Sequence, residues 1–245
     1  MTYAVRICLL LSVAIPSLAA GQVTSANGPT LSAHEIAQRL ESANEKRHQA
    51  LTTYTSTRTY LLDYKGFPSS KHAKLVVDVH FQAPRQKDFS ILTEEGSGLL
   101  RNRVLKKLLD SEKEAGERDN RHATEISESN YNFTLAGVEE KDGRHCYALD
   151  VKPKSRNKFL YTGRIWVDEE DFAVVHISAQ PAQNPSFWIK HVDIEHEYKK
   201  FGDFWLPVHN TSKSSTRLGG EAVLTIDYGR YAIGTASPGT SSGEN

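Results

Sequence analysis

The chain predicts a mainly β fold of the α+β class: a half-open antiparallel β-barrel or strongly curved sheet, with helices across its concave mouth. Three observations carry this. From Tyr131 onward, short segments alternate apolar and polar residues and are separated by turn-rich links, which is the rhythm of half-buried antiparallel strands. Two amphipathic stretches, starting near Ile36 and near Leu99, have helical periodicity. One apolar face recurs from hairpin to hairpin, so it must be covered by helices, by a second sheet or by a bound apolar ligand.

The elements follow in order. Arg6, the apolar run Ile7–Ile15 and the small residues Pro16-Ser17-Leu18-Ala19-Ala20 have the layout of a cleaved export signal. The run is too short to span a bilayer, and the cut is expected after Ala19 or Ala20. Residues 1–20 therefore read as signal peptide, 21–30 as a flexible leader, 31–233 as a single domain and 234–245 as a disordered tail. Cys8 lies inside the apolar run, not at the cleavage point, so the mature chain is expected to be periplasmic, soluble and not lipidated. Cleavage leaves Cys146 as the one thiol, which excludes an internal disulfide and favours a monomer stabilised by its core.

Ser32 and Glu35 have capping-box spacing, and Ile36, Leu40, Ala43, Arg47 and Leu51 follow a helical repeat. Thr52–Tyr64 is Thr- and Tyr-rich and favours strand. In Lys74–Phe81, Leu75, Val77, Val79 and Phe81 share one face while Val76, Asp78 and His80 share the other. Lys87–Thr93 is expected to pair back. Leu99–Glu117 reads as a second helix with Val104, Leu105, Leu108 and Leu109 as its stripe, frayed before Gly116 by the acidic residues in its second half. Further strands are expected at Asn132–Glu139, His145–Val151, Leu160–Val167, Ala173–Ala179, Trp188–Lys199, Trp205–Ser214 and Glu221–Tyr231. Lys141-Asp142-Gly143, Asp168–Asp171 and Lys200–Asp203 supply links.

Catalytic chemistry finds no support. There is no nucleophile elbow, no His-Glu-x-x-His and no phosphate-binding glycine loop. Gly96-Ser97-Gly98 reads as a helix entry, and the carboxylates Asp168–Asp171 as a solvated turn without calcium-loop spacing. His191 and His196 point to opposite faces of a strand, against a metal site. Cys146 reads as a small buried apolar residue. Thirty Lys and Arg balance thirty Asp and Glu, so nothing favours nucleic acid. The aromatics Trp166, Trp188, Trp205, Phe187, Phe201 and Phe204 fit core and ligand contact equally.

Four features together resemble the exported LolA/LolB/RseB-like superfamily. They are the early helix running into a Thr/Tyr strand (Ile36–Tyr60); Val76–Arg85; Gly143–Pro153 followed by Tyr161–Asp168; and Phe204-Trp205-Leu206-Pro207 with Ile226-Asp227-Tyr228. The resemblance implies a half-open barrel whose cavity holds lipid acyl chains, either of lipoproteins in transit or as a stress signal. A sensor of the latter kind would also hold an envelope membrane-protein partner. The chain departs from the carriers in its long, charged segment Arg101–Asn130. The reading is then an exported lipid- or lipoprotein-binding protein with no catalytic residue, cofactor or metal. Its alternatives are a regulator of an envelope stress pathway and a scaffold whose cavity is filled by its own side chains. Strand alternation places Leu75, Val77, Val79, Phe81, Val192, Ile194, Leu206, Leu224 and Ile226 on the ligand-facing side. Leu105 and Leu109 are expected at the inner edge of a movable lid.

Overall fold

The structure is a computed structural model that describes residues 31–84, 86–116, 122–157, 159–184, 187, 189–217 and 219–235. The segments read as export signal and leader, Trp188 and the residues beyond Thr235 lie outside the described residues.

Helix α1 (Ala33–Ala50) begins with the expected capping box: Ser32 Oγ accepts from the Glu35 N–H, and the Glu35 carboxylate accepts from the Ser32 N–H. The chain passes directly from α1 into β1 (Leu51–Lys65). Leu51, expected as the last turn of the helical stripe, is therefore the helix C-cap and first strand residue. The strands β2 (Lys71–Gln82) and β3 (Gln86–Gly96) follow. The second helical segment has a first turn at Gly98–Leu100, a π-helical turn at Arg101–Leu105 and then α2 (Lys106–Gly116). The wider π turn changes the phase of the expected stripe. Leu100, Leu105 and Leu109 are buried, whereas Val104 is 40% exposed. The helix also continues to Gly116 instead of fraying before it.

The remaining strands are β4 (Tyr131–Lys141), β5 (Arg144–Pro153), β6 (Tyr161–Asp168), β7 (Val174–Pro181), β8 (Ile189–Phe201), β9 (Phe204–Thr216) and β10 (Glu221–Thr235). Each starts or ends within a few residues of its expected bounds. The β4–β5 hairpin turns on Asp142-Gly143, both at positive φ (51° and 75°), a conformation for which aspartate and glycine are suited. All ten strands form one antiparallel sheet in the order β3-β2-β1-β10-β9-β8-β7-β6-β5-β4. The chain is a meander except that β10 returns to pair with β1. β3 and β4 remain as unpaired edges, so the barrel is open.

The register can be followed across the whole sheet. One inward row runs Glu94, Leu75, Tyr60, Ile226, Asn210, His196, Ile177, Ile165, Leu149 and Leu135, from β3 to β4. The next runs Ala73, Leu62, Leu224, Ser212, Ile194, Ala179, Gly163, Val151 and Phe133. At Gly163 a Cβ would lie 2.3 Å from the Ser178 carbonyl oxygen, so only glycine permits this close β6–β7 approach. Leu75, Val77 and Val79 are fully buried, while Asp193 and Asp227 on the other face are exposed, which is the inward register expected from alternation.

The core is divided. One cluster joins Leu100, Leu105 and Leu109 to Leu75, Val77 and Val79 on β2, Tyr60 and Leu62 on β1, and Phe204 and Leu206 on β9. The other joins Ile36 and Leu40 of α1 to Leu149, Val151, Ile165, Val167 and Ile177 on β5, β6 and β7. Each helix covers its own half of the sheet, and β8–β10 run between the two halves.

Candidate functional site

A cavity of about 690 Å³ lies between the C-terminal half of α1, the segment 124–127, α2 and the sheet. Its floor is apolar and aromatic: Leu51 and Tyr54 from β1, Phe81 from β2, Tyr198 from β8, and Trp205 and Leu206 from β9. Its rim is charged, with Glu41, Glu45, Arg47, Lys87, Glu112 and Glu125. The volume is that of a small-ligand site, typically about 300–1,000 Å³.

Local contacts hold these walls. Arg47, on the last turn of α1, donates to the carbonyls of Asp171 (2.9 Å) and Phe172 (2.7 Å), tying α1 to the β6–β7 turn. The Glu41 carboxylate accepts from the Glu128 N–H, which fixes the segment beside α1. Trp205 Nε1 donates to Asp171 (3.0 Å), which also pairs with Lys200 (2.7 Å). The β6–β7 turn, expected to be solvated, is instead built around a buried carboxylate. Asp168 is 1% exposed and accepts from Arg144 (2.6 Å) and from the Glu170 and Asp171 N–H groups. A buried carboxylate persists only when so compensated.

Beside the cavity, Arg58 lies inside the first core cluster with 2% of its side chain exposed. Its Nη1 donates to both carboxylate oxygens of Glu112 on α2 (2.7 and 2.9 Å), Nη2 donates to Tyr54 Oη (3.4 Å), and the guanidinium stacks over Tyr228 at 4.6 Å. Lys87 Nζ donates to the same carboxylate at 2.8 Å. Burial alone would raise the Glu112 pKa, but Lys87 and Arg58 outweigh it and hold the carboxyl below its usual value. Burial likewise opposes the charge on Arg58, yet Glu112 keeps its pKa above the ordinary value. Arg58 Nε, Tyr60 Oη and Ser56 Oγ are buried and make no well-formed hydrogen bond among the described residues. Alternation puts Arg58 in phase with Tyr54, Tyr60 and Leu62, so a charged residue at an inward position was the signal available in the sequence.

The expected ligand-facing residues divide. Phe81 and Leu206 line the cavity. Leu75, Val77, Val79, Leu105 and Leu109 pack on one another in the core cluster, so the second helix fills this part of the sheet where a movable lid over open space was expected. Leu224 and Ile226 are half-buried against that cluster. Val192 and Ile194 are buried at 7% and 8% exposure on β8. The other cavity walls, from α1 and 124–127, come from elements far apart in sequence, and no local pattern brings them together. Of the aromatics, Trp205 lines the cavity, Phe204 is core, and Phe201 packs against it. Trp166 lies on the opposite face with its Nε1 donating to Glu139 (2.8 Å), and Phe187 is 74% exposed. His191 pairs with Asp193 on the outer face, and His196 faces inward. Burial pushes the Cys146 thiol up to about 12, with Asp168 adding to it, so the thiol is not a nucleophile at neutral pH.

Fold and site together define an open, mainly antiparallel β-barrel with a mixed apolar and charged cavity under its helices. The chain matches the model of a family of unknown function (DUF5686) over residues 125–228. No curated protein matches it. Among solved structures it is similar to a DUF1329 family protein from Desulfovibrio piger, at 13% identity over 85% of this chain and 95% of that one, with a TM-score of 0.43. It is similar to a domain ascribed to outer-membrane lipoprotein sorting in Vibrio parahaemolyticus, at 13% identity over 84% and 93%, with a TM-score of 0.41. It is also similar to a LolA superfamily protein from Nitrosomonas europaea, at 11% identity over 84% and 94%, with a TM-score of 0.35. At these scores the likenesses settle neither ligand nor partner.

Proposed function

We propose that this is an exported binding protein that holds the acyl chain of a lipid or lipoprotein in the cavity between α1, α2 and the sheet. The observation that carries the reading is the make-up of that cavity: about 690 Å³, with a floor of Leu51, Tyr54, Phe81, Tyr198, Trp205 and Leu206 and its charges held at the rim. Burial of apolar chain supplies the affinity. At roughly 0.8 kcal/mol per buried methylene, about ten methylenes bring on the order of 8 kcal/mol before the costs of association. The rim charges keep the empty mouth hydrated and leave the polar end of a ligand near water. The export signal read at residues 1–20 supports an envelope setting for this activity.

The test is titration of the mature protein with the fluorescent polyene cis-parinaric acid, alongside a Val174→Trp variant that narrows the cavity. Saturable binding with one ligand per chain, weakened at least about tenfold in the variant, is expected for a difference of roughly 1.4 kcal/mol. Absence of saturable binding, or equal binding by the variant, defeats the reading.

A further inference from the structure

The inner face of the sheet is apolar on both helix-covered halves, but its centre is not. In the row that crosses all ten strands, Asn210 on β9 and His196 on β8 are direct neighbours between Ile226 and Ile177. Ser212 and Ser214 continue the inner side of β9, and Tyr198 and Tyr228 flank the stripe. All of these residues are half-buried, whereas Ile177 and Ile165 in the same row are about 1% exposed. The helices pack in separate clusters towards the two ends of the sheet, and the stripe lies on the strands between those ends, with Tyr198 reaching the cavity.

Its hydrogen bonds are incomplete. Asn210 Nδ2 donates to Tyr228 Oη at 2.9 Å, but Asn210 Oδ1 is buried with no partner among the described residues. Ser214 Oγ reaches only the Ala222 carbonyl, at 3.4 Å. The His196 ring meets Tyr161 edge-on, with centroids 5.9 Å apart. Burial, and secondarily the neighbouring His176, push its imidazole down to about 4, so it is uncharged at neutral pH. The inward positions of β8 and β9 from Val192 to Tyr198 and from Asn210 to Ser214 carry no carboxylate, lysine or arginine. A buried acceptor left open, amid hydroxyls and a neutral imidazole, suits a group that donates hydrogen bonds and bears no charge. Tyr198 belongs both to this stripe and to the cavity floor. His196 is two residues away on the same side, roughly 7 Å along the strand.

We propose that the β8–β9 stripe is a headgroup subsite, which receives an uncharged, hydroxyl-bearing headgroup of the ligand whose acyl chain occupies the cavity beyond Tyr198. This rests on the acyl-chain reading above. The chain supplies affinity by burial, and the stripe selects among amphiphiles by satisfying Asn210 Oδ1 with a ligand hydroxyl.

The experiment compares monooleoylglycerol with methyl oleate, which have the same chain and no charge and differ in their free hydroxyls, as competitors of bound cis-parinaric acid. Wild type is expected to bind monooleoylglycerol about tenfold more tightly, the effect of one or two well-placed buried hydrogen bonds. Asn210→Leu should bring the two ligands to within about twofold while leaving methyl oleate binding in place. His196→Leu provides a second variant, and binding of methyl oleate reports in each that the cavity is intact. Equal binding of the two ligands by wild type, or a preference that survives both variants, overturns the subsite and leaves the acyl-chain reading standing. Failure of wild type to bind either ligand overturns both.

Discussion

Arg58 and Glu112 set the behaviour of this domain at the scale of single residues. Removing one partner of a buried ion pair strands the other, typically at about 3–5 kcal/mol, and the partial exposure of Glu112 lowers that figure here. Glu112→Gln is therefore expected to cost about 2–3 kcal/mol in urea denaturation. The pH dependence follows from the depressed Glu112 pKa. The unfolded chain takes up a proton on this carboxyl at a higher pH than the folded one does. The stabilisation is thus complete above the ordinary glutamate value and fades as pH falls from there through the lower folded value. Glu112→Gln should lack this part of the acid-induced loss. A variant as stable as wild type, with an unchanged acid limb, would show that Lys87 and Arg58 find other compensation.

At the scale of elements, the second helical segment belongs to the core of β1 and β2. Leu105 and Leu109 are 0% and 6% exposed and pack with Leu75, Val77 and Val79, while Arg58 pins α2 from below. Its amides are expected to exchange with deuterium as slowly as those of β2, through opening of the whole unit. Leu105→Asp puts a charge at a fully buried position and should destabilise that unit as a whole by about 3 kcal/mol or more. Exchange in 98–116 that is orders of magnitude faster than in β2, with β2 unaffected by Leu105→Asp, would instead identify the segment as a lid. The split stripe is itself instructive. Val104 and Leu105 are equally apolar neighbours in the π turn, yet Leu105 is fully buried and Val104 is 40% exposed.

At the scale of the whole molecule, stability comes from two core clusters and a continuous ten-stranded sheet, with Cys146 as the one thiol of the described residues. The mature protein is expected to melt at the same temperature with and without reductant. A lower melting temperature in reductant would reveal a bridge between chains through Cys146, and size-exclusion chromatography under the same two conditions would show it as a change in mass. Because the sheet is open, its strand pairing joins the two halves through β8, β9 and β10, the first two of which carry the polar stripe.

The sequence by itself determined the local structure. The Ser32–Glu35 capping box, the alternation in Leu75–Phe81 and the Asp142-Gly143 turn each act over a few residues, so their patterns are visible in the chain. Alternation also placed Val192, Ile194, Leu224 and Ile226 on the inward face, because side-chain direction has a fixed period of two. It could not say which inward residues face a cavity and which face a helix. Only the tertiary structure decided that, by laying the second helical segment over Leu75, Val77 and Val79 and by bringing α1, 124–127, Tyr198 and Leu206 around one space. It also decided that Arg58 meets Glu112, 54 residues away, and that Asn210 lies beside His196. Those relations depend on pairing and packing over long separations, where periodicity carries no information and the burial of one surface against another does.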